Sequence, residues 1–115
     1  MIINIGIDII EKNRIRKNIL HYKTIFINKI LSLEEKRQYI SNKKKIEFLS
    51  KIFAIKESIS KAISTGLRKK IKFKNINIKK TELKKPYLKI KNIKTYLTIS
   101  HEKNLTIALI IMTKR

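Results

Sequence analysis

Two carboxylates that are far apart in the sequence stand in surroundings that suit a divalent metal ion. Asp8, the only aspartate of the chain, lies among isoleucines in GIDIIE, and Glu57 lies within the apolar stretch FAIKESISKAI. Mg²⁺ in proteins commonly takes one or two carboxylates and completes its octahedron with water and substrate phosphates. If the fold brings the two residues together, they predict a magnesium site.

Each carboxylate also has a simpler interpretation, and the sequence leaves both open. Glu57 and Lys61 are one helical turn apart, so they could form an ordinary ion pair on a solvated face. Asp8 could end a strand in a turn. The metal interpretation is favoured by Lys56 and Lys61, which flank Glu57. Lysines that meet a pyrophosphate while carboxylates hold a metal are typical of direct phosphoryl transfer.

A histidine provides a third candidate group. His101, in TISHE, falls at a predicted turn between two apolar strands, where its side chain could reach a ligand without disturbing the core. The alternative is a turn histidine without a role.

The element that must carry Asp8 is an N-terminal strand. Residues 2–10 alternate so that Asn4, Gly6 and Asp8 share one face. The other face carries Ile3, Ile5, Ile7 and Ile9. The alternation predicts that the isoleucine face packs, while the second face is wet or functional and offers Asp8 as an oxygen ligand.

Helices are predicted after this strand. EKNRIRKNILHY indicates a short basic helix or turn, and Ser32 with Glu35 forms a capping-box pattern that starts a helix reaching about Ile40. The strongest helix signal runs from about Lys44 to Thr65, with an apolar stripe at three- and four-residue steps and a glycine at its end. This helix carries Glu57 and Lys61 on one face.

The remainder of the chain is predicted to form strands. They are Phe73–Ile78, Tyr87–Ile90 and a hairpin of Tyr96–Ser100 with Leu105–Met112 around HEKN. A strand, then helices, then antiparallel strands indicate an α+β fold, and the length of 115 residues predicts a single domain over residues 1–115.

The amino-acid composition limits the kinds of partner that this protein could bind. The chain carries 29 Lys+Arg against 8 Asp+Glu, a formal net charge of +21, which favours polyanions: nucleic acid, an acidic protein or a phosphate-rich cofactor. Compositional drift towards lysine, isoleucine and asparagine is the competing explanation. The absence of cysteine excludes disulfides and thiolate metal sites. Neither a signal peptide nor a membrane span is predicted, so we expect a cytoplasmic protein.

A small basic RNA-binding protein is the main alternative to an enzyme. It would explain the charge directly, since RNA-binding domains combine helices with antiparallel strands. Against it, only 7% of residues are aromatic, and no predicted strand shows the aromatic-glycine run of an RNA-recognition sheet.

Taken together, four segments resemble the holo-acyl-carrier-protein synthases, the short 4′-phosphopantetheinyl transferases. The segments are GIDIIE, FAIKESISKAISTGL, KPYLKI and LTISHEKNLTIALIIM, in the family's order and spacing over nearly the whole chain. The resemblance implies a 4′-phosphopantetheinyl transferase-like fold with one long central helix on an antiparallel sheet. It implies transfer of 4′-phosphopantetheine from coenzyme A to a serine of apo acyl carrier protein, with release of adenosine 3′,5′-bisphosphate in fatty acid biosynthesis.

The resemblance also assigns roles to residues. It implies Mg²⁺ at Asp8 and Glu57, with Glu57 and Lys61 as catalytic residues, and leaves the base that takes the serine proton open between Glu57 and a metal-bound water. The positions that match contacts to coenzyme A are Lys43, Lys44, Lys56, Lys61, Pro86, Ser100 and His101. The positions that match contacts to acyl carrier protein are Arg14, with Arg16 and Lys17 as support. Homotrimers with active sites at subunit interfaces are implied, so that isoleucine-rich strand faces lacking a partner in one chain would be interface.

Three positions depart from the family pattern. Ile52 stands where a basic residue is usual, with Lys51 one place earlier, and Ser64 and Lys85 each replace a usual glycine. Because the proposed metal pair is untouched, these departures predict altered contacts to coenzyme A rather than loss of the metal site.

Overall fold

A three-stranded antiparallel sheet with a long helix packed across it forms the framework of the protein. The computed structural model describes residues 1–63 and 72–114. The sheet consists of strands β1 (Ile2–Glu11), β4 (Ile93–His101) and β5 (Leu105–Lys114), with β5 in the centre. The other two strands, β2 (Lys79–Lys80) and β3 (Pro86–Tyr87), form a separate ribbon. The helices are α1 (Lys12–Tyr22), α2 (Thr24–Ile30), α3 (Leu33–Ser41) and α4 (Lys45–Ala62).

Helices and an antiparallel sheet are combined as the sequence predicts, and several elements form where local signals place them. Strands β4 and β5 make the predicted hairpin, closed by a backbone bond of 2.8 Å in which Glu102 N donates to Leu105 O. The capping box starts α3, since Ser32 Oγ accepts from Glu35 N at 3.2 Å while Glu35 Oε1 accepts from Ser32 N at 2.9 Å. The predicted end of the long helix, at Thr65 and Gly66, lies outside the described residues.

The prediction for the two faces of β1 is wrong in the single chain. Helix α4 packs on the face that carries Gly6 and Asp8, where Ile10 is buried. The isoleucine face is the exposed one, with exposures of 43% at Ile3 and 57% at Ile9. Gly6 is the physical reason, because a Cβ there would stand 1.9 Å from Ser58 O of α4. Without a side chain at this position, the helix backbone approaches the strand directly.

Two predicted strands form other structures. Phe73–Asn75 is a 3₁₀ turn, and of Tyr87–Ile90 only Tyr87 belongs to a named strand. Some polar backbone groups of these segments bond to side chains instead of a neighbouring strand. Ile78 N donates to Glu35 Oε2 at 2.8 Å, and Leu88 O accepts from Thr95 Oγ1 at 2.8 Å. Helix α2 has no counterpart among the predicted elements, since no side chain caps its start.

No helix within residues 1–63 and 72–114 is both long and apolar enough to cross a membrane.

Candidate active site

Asp8 and Lys61 meet where α4 crosses β1. Lys61 Nζ donates to Asp8 Oδ1 at 2.7 Å and to Ile7 O at 3.2 Å. The Asp8 side chain is only 12% exposed, whereas that of Lys61 is 55% exposed. The contact follows from the packing at Gly6. Asp8 is the next residue on the same face of β1, and Lys61 directly precedes Ala62, whose backbone nitrogen lies close to Gly6.

The second oxygen of Asp8 is buried without a hydrogen bond. Among the residues that the structure describes, Asp8 Oδ2 has no hydrogen-bond partner. A buried carboxylate oxygen left in this way is costly, and a cation or a donor from a ligand would remove the cost. This oxygen is therefore the first feature of the structure that fits a metal ion.

Glu57 supplies the second carboxylate of the site. Burial raises the pKa of Glu57 above its ordinary value, and the negative charge of Asp8 raises it further, while Lys61 and Arg14 partly offset the shift. The structure therefore brings the two carboxylates that the sequence singled out within electrostatic range of each other. Two like charges in one region, one with an unbonded oxygen, suit a divalent cation.

The number of protein ligands limits how such a cation would be held. Within the described ranges, no group of three or more histidine, cysteine, aspartate or glutamate side chains could hold a metal ion. A cation on Asp8 and Glu57 would draw its remaining ligands from water and substrate oxygens, as Mg²⁺ does in phosphate-handling sites.

A basic groove lies further along the same sheet face. It has a volume of about 620 Å³ and brings together Lys43, Lys44 and His101, three of the positions that the family resemblance assigned to coenzyme A. His101 of β4 pairs with Thr106 of β5, and Thr106 lies two positions from Ala108, which pairs with Asp8 of β1. The central strand thus lies between His101 and Asp8, which are two strand spacings apart across the sheet, roughly 10 Å, and two residues apart along it.

His101 is held in a defined orientation in this groove. Its Nδ1 lies 3.1 Å from Thr106 Oγ1, and its Nε2 lies 4.0 Å from Glu47 Oε1. Burial is the main cause that lowers the pKa of the imidazole; Glu47 opposes this shift, and the ammonium groups of Lys12 and Lys51 add to it. The groove therefore favours a neutral histidine until a further negative charge enters.

Lys56 is not where the sequence interpretation placed it. Its side chain is fully buried, and Nζ donates to Glu35 Oε1, to Ile30 O and to Phe73 O. All three donors of the ammonium are used inside the protein, so this lysine cannot serve a pyrophosphate. The helical periodicity explains the difference, since Lys56 and Glu57 are adjacent in sequence and point to different sides of α4.

The residues predicted to meet a carrier protein divide between two surfaces. Arg14 and Lys17 line a depression beside β1, while Arg16 lines the basic groove. The Arg14 guanidinium stands 5.8 Å from the centre of the Phe53 ring, and its charge acts on Glu57. Arg14 is exposed and lies within electrostatic range of Glu57.

Two other predicted contacts lie apart from the basic groove. Ser100 is exposed on the opposite sheet face from its neighbour His101, and it pairs with Ile107. Pro86 lies in β3, opposite Lys80. Among the described residues, the lining of the groove includes neither of them.

Sequence reasoning missed Glu47, and it did not settle where Lys51 points. Both line a smaller depression with His101, and Ile52 is buried in the core. Lys51 therefore supplies a cation near His101, although Ile52 occupies the position where the family usually has a basic residue. Glu47 has no local signal that links it to His101, because only the packing of α4 on β4 brings the two together.

Comparison with known proteins places this architecture in a class. The family model described as 4′-phosphopantetheinyl transferase superfamily matches residues 4–110. A holo-[acyl-carrier-protein] synthase of Staphylococcus epidermidis is 38% identical over 117 residues, which cover 99% of this chain and 98% of the relative.

Solved structures agree with the sequence comparison. A crystal structure of the holo-(acyl-carrier-protein) synthase of Bacillus anthracis in complex with CoA (3′,5′-ADP) has a TM-score of 0.88 and 35% identity, covering 100% of this chain and 99% of that one. That of Helicobacter pylori in complex with coenzyme A has a TM-score of 0.81 and 31% identity, covering 95% and 99%. The chain belongs to the holo-[acyl-carrier-protein] synthases of the 4′-phosphopantetheinyl transferase superfamily, and it is a transferase. The RNA-binding alternative is not favoured.

Proposed function

We propose that this chain transfers 4′-phosphopantetheine from coenzyme A to a serine of apo acyl carrier protein, with Mg²⁺ held by Asp8 and Glu57. The observation that carries the proposal is the pair of carboxylates beside Lys61, with one buried Asp8 oxygen unbonded among the described residues. Two relatives solved with coenzyme A support the choice of co-substrate.

The bond changes define what the site must do. The serine oxygen forms a bond to the phosphorus that carries pantetheine, and the bond from that phosphorus to the adenosine bisphosphate oxygen breaks. Mg²⁺ would neutralise negative charge on the pyrophosphate, a role in which metal ions stabilise phosphoryl transfer. Glu57, beside the reacting group, is the protein's candidate to accept the serine proton.

Lys61 is the cation of this chain best placed to meet the pyrophosphate. It projects from α4 onto Asp8, its charge acts on Glu57, and its half-exposed side chain has room to turn towards a ligand. An ammonium beside the transferring phosphoryl group stabilises charge at the point where it shifts during the reaction.

The basic groove is the proposed place for the nucleotide end of coenzyme A. Lys43 and Lys44 stand at the start of α4, and His101 faces them from β4. Several ammonium groups around one groove suit the phosphate groups of adenosine 3′,5′-bisphosphate. Lys56 has no part in this assignment, since its ammonium is bonded in the core.

Arg14 and Lys17 form the proposed contact with the carrier protein. Both are exposed on α1 and border the strand that carries Asp8. An acidic carrier docked there would bring its serine towards the carboxylate pair, and opposite charges would guide its approach. Arg16, in the basic groove, is better placed for a phosphate of coenzyme A.

A homotrimer is the proposed assembly. Ile3, Ile5, Ile7 and Ile9 form an exposed apolar row on one edge strand, and such rows mark interaction surfaces. In one chain, β5 lies between Asp8 and His101. A neighbouring chain packed on the isoleucine row would cover β1 and could add residues at the edge of each site.

The deciding experiment measures the mass of apo acyl carrier protein after incubation with the purified chain, Mg²⁺ and coenzyme A. We expect a mass gain equal to one 4′-phosphopantetheine group. Asp8→Asn should lower the rate on the order of 100-fold or more, because it removes charge at the phosphoryl-transfer site. Lys89→Met, which changes an exposed lysine that lines neither the basic groove nor the depression beside β1, is the control for a change of one surface charge. No mass gain with the wild-type chain would refute the transferase assignment.

A further inference from the structure

Lys61 is held on β1 by two oxygens. Its ammonium donates to Asp8 Oδ1 at 2.7 Å and to the carbonyl of Ile7 at 3.2 Å. It therefore stands as a positive charge directly on Asp8, which is the carboxylate assigned to the metal.

A divalent cation on the same carboxylate would meet this ammonium as a like charge. Two positive groups a few ångströms apart in a half-buried site repel by several times the energy they would have in bulk water. The unbonded Oδ2 of Asp8 offers the cation an oxygen, but the charge of that carboxylate is already shared with Lys61. The described residues also supply too few ligands for a tight site without substrate.

The side chain of Lys61 can adopt another position. It is 55% exposed, and its four-carbon stem is flexible, so the ammonium can leave β1 without disturbing the core. An anionic ligand beside Asp8 and Glu57 would offer the ammonium oxygens of higher charge than the Ile7 carbonyl.

We propose that Lys61 and a divalent cation compete for Asp8, and that the pyrophosphate of coenzyme A ends the competition by drawing the Lys61 ammonium away from β1. The proposal rests on the metal site assigned under the proposed function. It makes metal and coenzyme A bind with positive coupling, since each is bound better once the other is present. Lys61 thus makes the affinity for the metal depend on whether coenzyme A is bound, in addition to any contact with phosphate.

The test is a titration of the full chain with manganese chloride, in which bound Mn²⁺ is followed by electron paramagnetic resonance, with and without coenzyme A. Lys61→Met removes the competing charge, Lys61→Arg keeps it, and Lys89→Met is a control for loss of one surface charge. Without coenzyme A, we expect Lys61→Met to bind Mn²⁺ about fivefold or more tightly than the wild type, while the other two variants stay close to it. The tightening produced by coenzyme A should shrink in Lys61→Met by about the same factor.

Two outcomes would overturn the proposal. If Lys61→Met binds Mn²⁺ alone no more tightly than the wild type, Lys61 does not compete with the metal. If Asp8→Asn binds Mn²⁺ as well as the wild type, the metal site is elsewhere and the competition falls with it. Failure of the transferase assignment is distinguishable, since competition measured by resonance in a chain that adds no pantetheine would uphold this proposal alone.

Discussion

The two oxygens of the Asp8 carboxylate have different surroundings. Oδ1 accepts from Lys61, and Oδ2 has no hydrogen-bond partner in the described part of the chain. A carboxylate that only served the fold would be expected to have both oxygens bonded, because buried polar groups in proteins nearly always are. The unbonded oxygen is therefore the residue-scale reason for assigning Asp8 to a ligand.

The basic groove makes a prediction for His101. Burial lowers its pKa, so the imidazole should titrate below the pH at which a free histidine does. Adenosine 3′,5′-bisphosphate should raise this pKa, because a nearby phosphate stabilises the imidazolium. Proton NMR of the His101 ring during a pH titration, with and without the nucleotide, measures both values.

His21 is the internal reference in this experiment, since it lies on α1 and is exposed. A nucleotide that shifts both histidines equally would argue against binding in the groove. The same linkage has a consequence for folding: because the folded state disfavours the protonated form of His101, this residue supports stability above its unfolded pKa. That support is lost as the pH falls through the unfolded pKa and then the lower folded one.

At the scale of the elements, a buried ion pair joins parts of the chain that are distant in sequence. Lys56 of α4 bonds to Glu35 of α3, and Glu35 also accepts from Ser32 N and Ile78 N. Both side chains are fully buried. The pair thus fixes the start of α3 and the segment after the 3₁₀ turn against the helix that carries Glu57.

Lys56→Met should destabilise the fold by about 3–5 kcal/mol, because it leaves the Glu35 charge buried without its partner. Glu35→Gln alone should also destabilise, and the double variant should cost less than the sum of the two. Chemical denaturation of the four proteins in this cycle measures the coupling energy. Strict additivity would show that the two side chains do not support each other.

The packing of α4 on β1 makes a second prediction at this scale. Gly6→Ala should lower the free energy of unfolding by about 1–3 kcal/mol, because the added Cβ overpacks the contact with the helix backbone. Displacement of α4 should also move Glu57 and Lys61 away from Asp8, so the rate of transfer should fall. Thermal unfolding and the transfer assay measure the two effects, and an unchanged melting temperature would contradict the close approach.

For the whole molecule, the exposed isoleucine row is the main feature that one chain does not explain. Ile5→Glu places a charge in the middle of that row, where Ile5 is 55% exposed. We expect it to dissociate the proposed trimer and to abolish transfer, because each site needs a neighbouring chain. Size-exclusion chromatography with light scattering measures the assembly.

Ile40→Glu is the matched control, since Ile40 is 73% exposed on α3, away from the sheet. This variant should keep both the assembly and the activity of the wild type. A wild-type chain that is monomeric and active would refute the assembly together with the shared site.

Local patterns were enough to predict much of the fold and the chemistry of the site. The capping box of Ser32 and Glu35, the apolar stripe of α4 and the hairpin around HEKN depend on residues close in sequence, so they can be read without the fold. The types of residue at positions 8, 57 and 61 predicted carboxylates with a lysine, and the structure joins Asp8 to Lys61 and brings Glu57 within range of both charges.

Other properties were decided only when the chain folded. The buried face of β1 follows from the absence of a side chain at Gly6 and from the helix that packs there, and alternation alone cannot distinguish a face covered by α4 from one left to a neighbour. Lys56 turned inward because Glu35 and two carbonyls meet it in the core, and Glu47 reached His101 across the helix–sheet contact. These contacts join distant positions, so their energies depend on the packing of whole elements and have no signature in the local sequence.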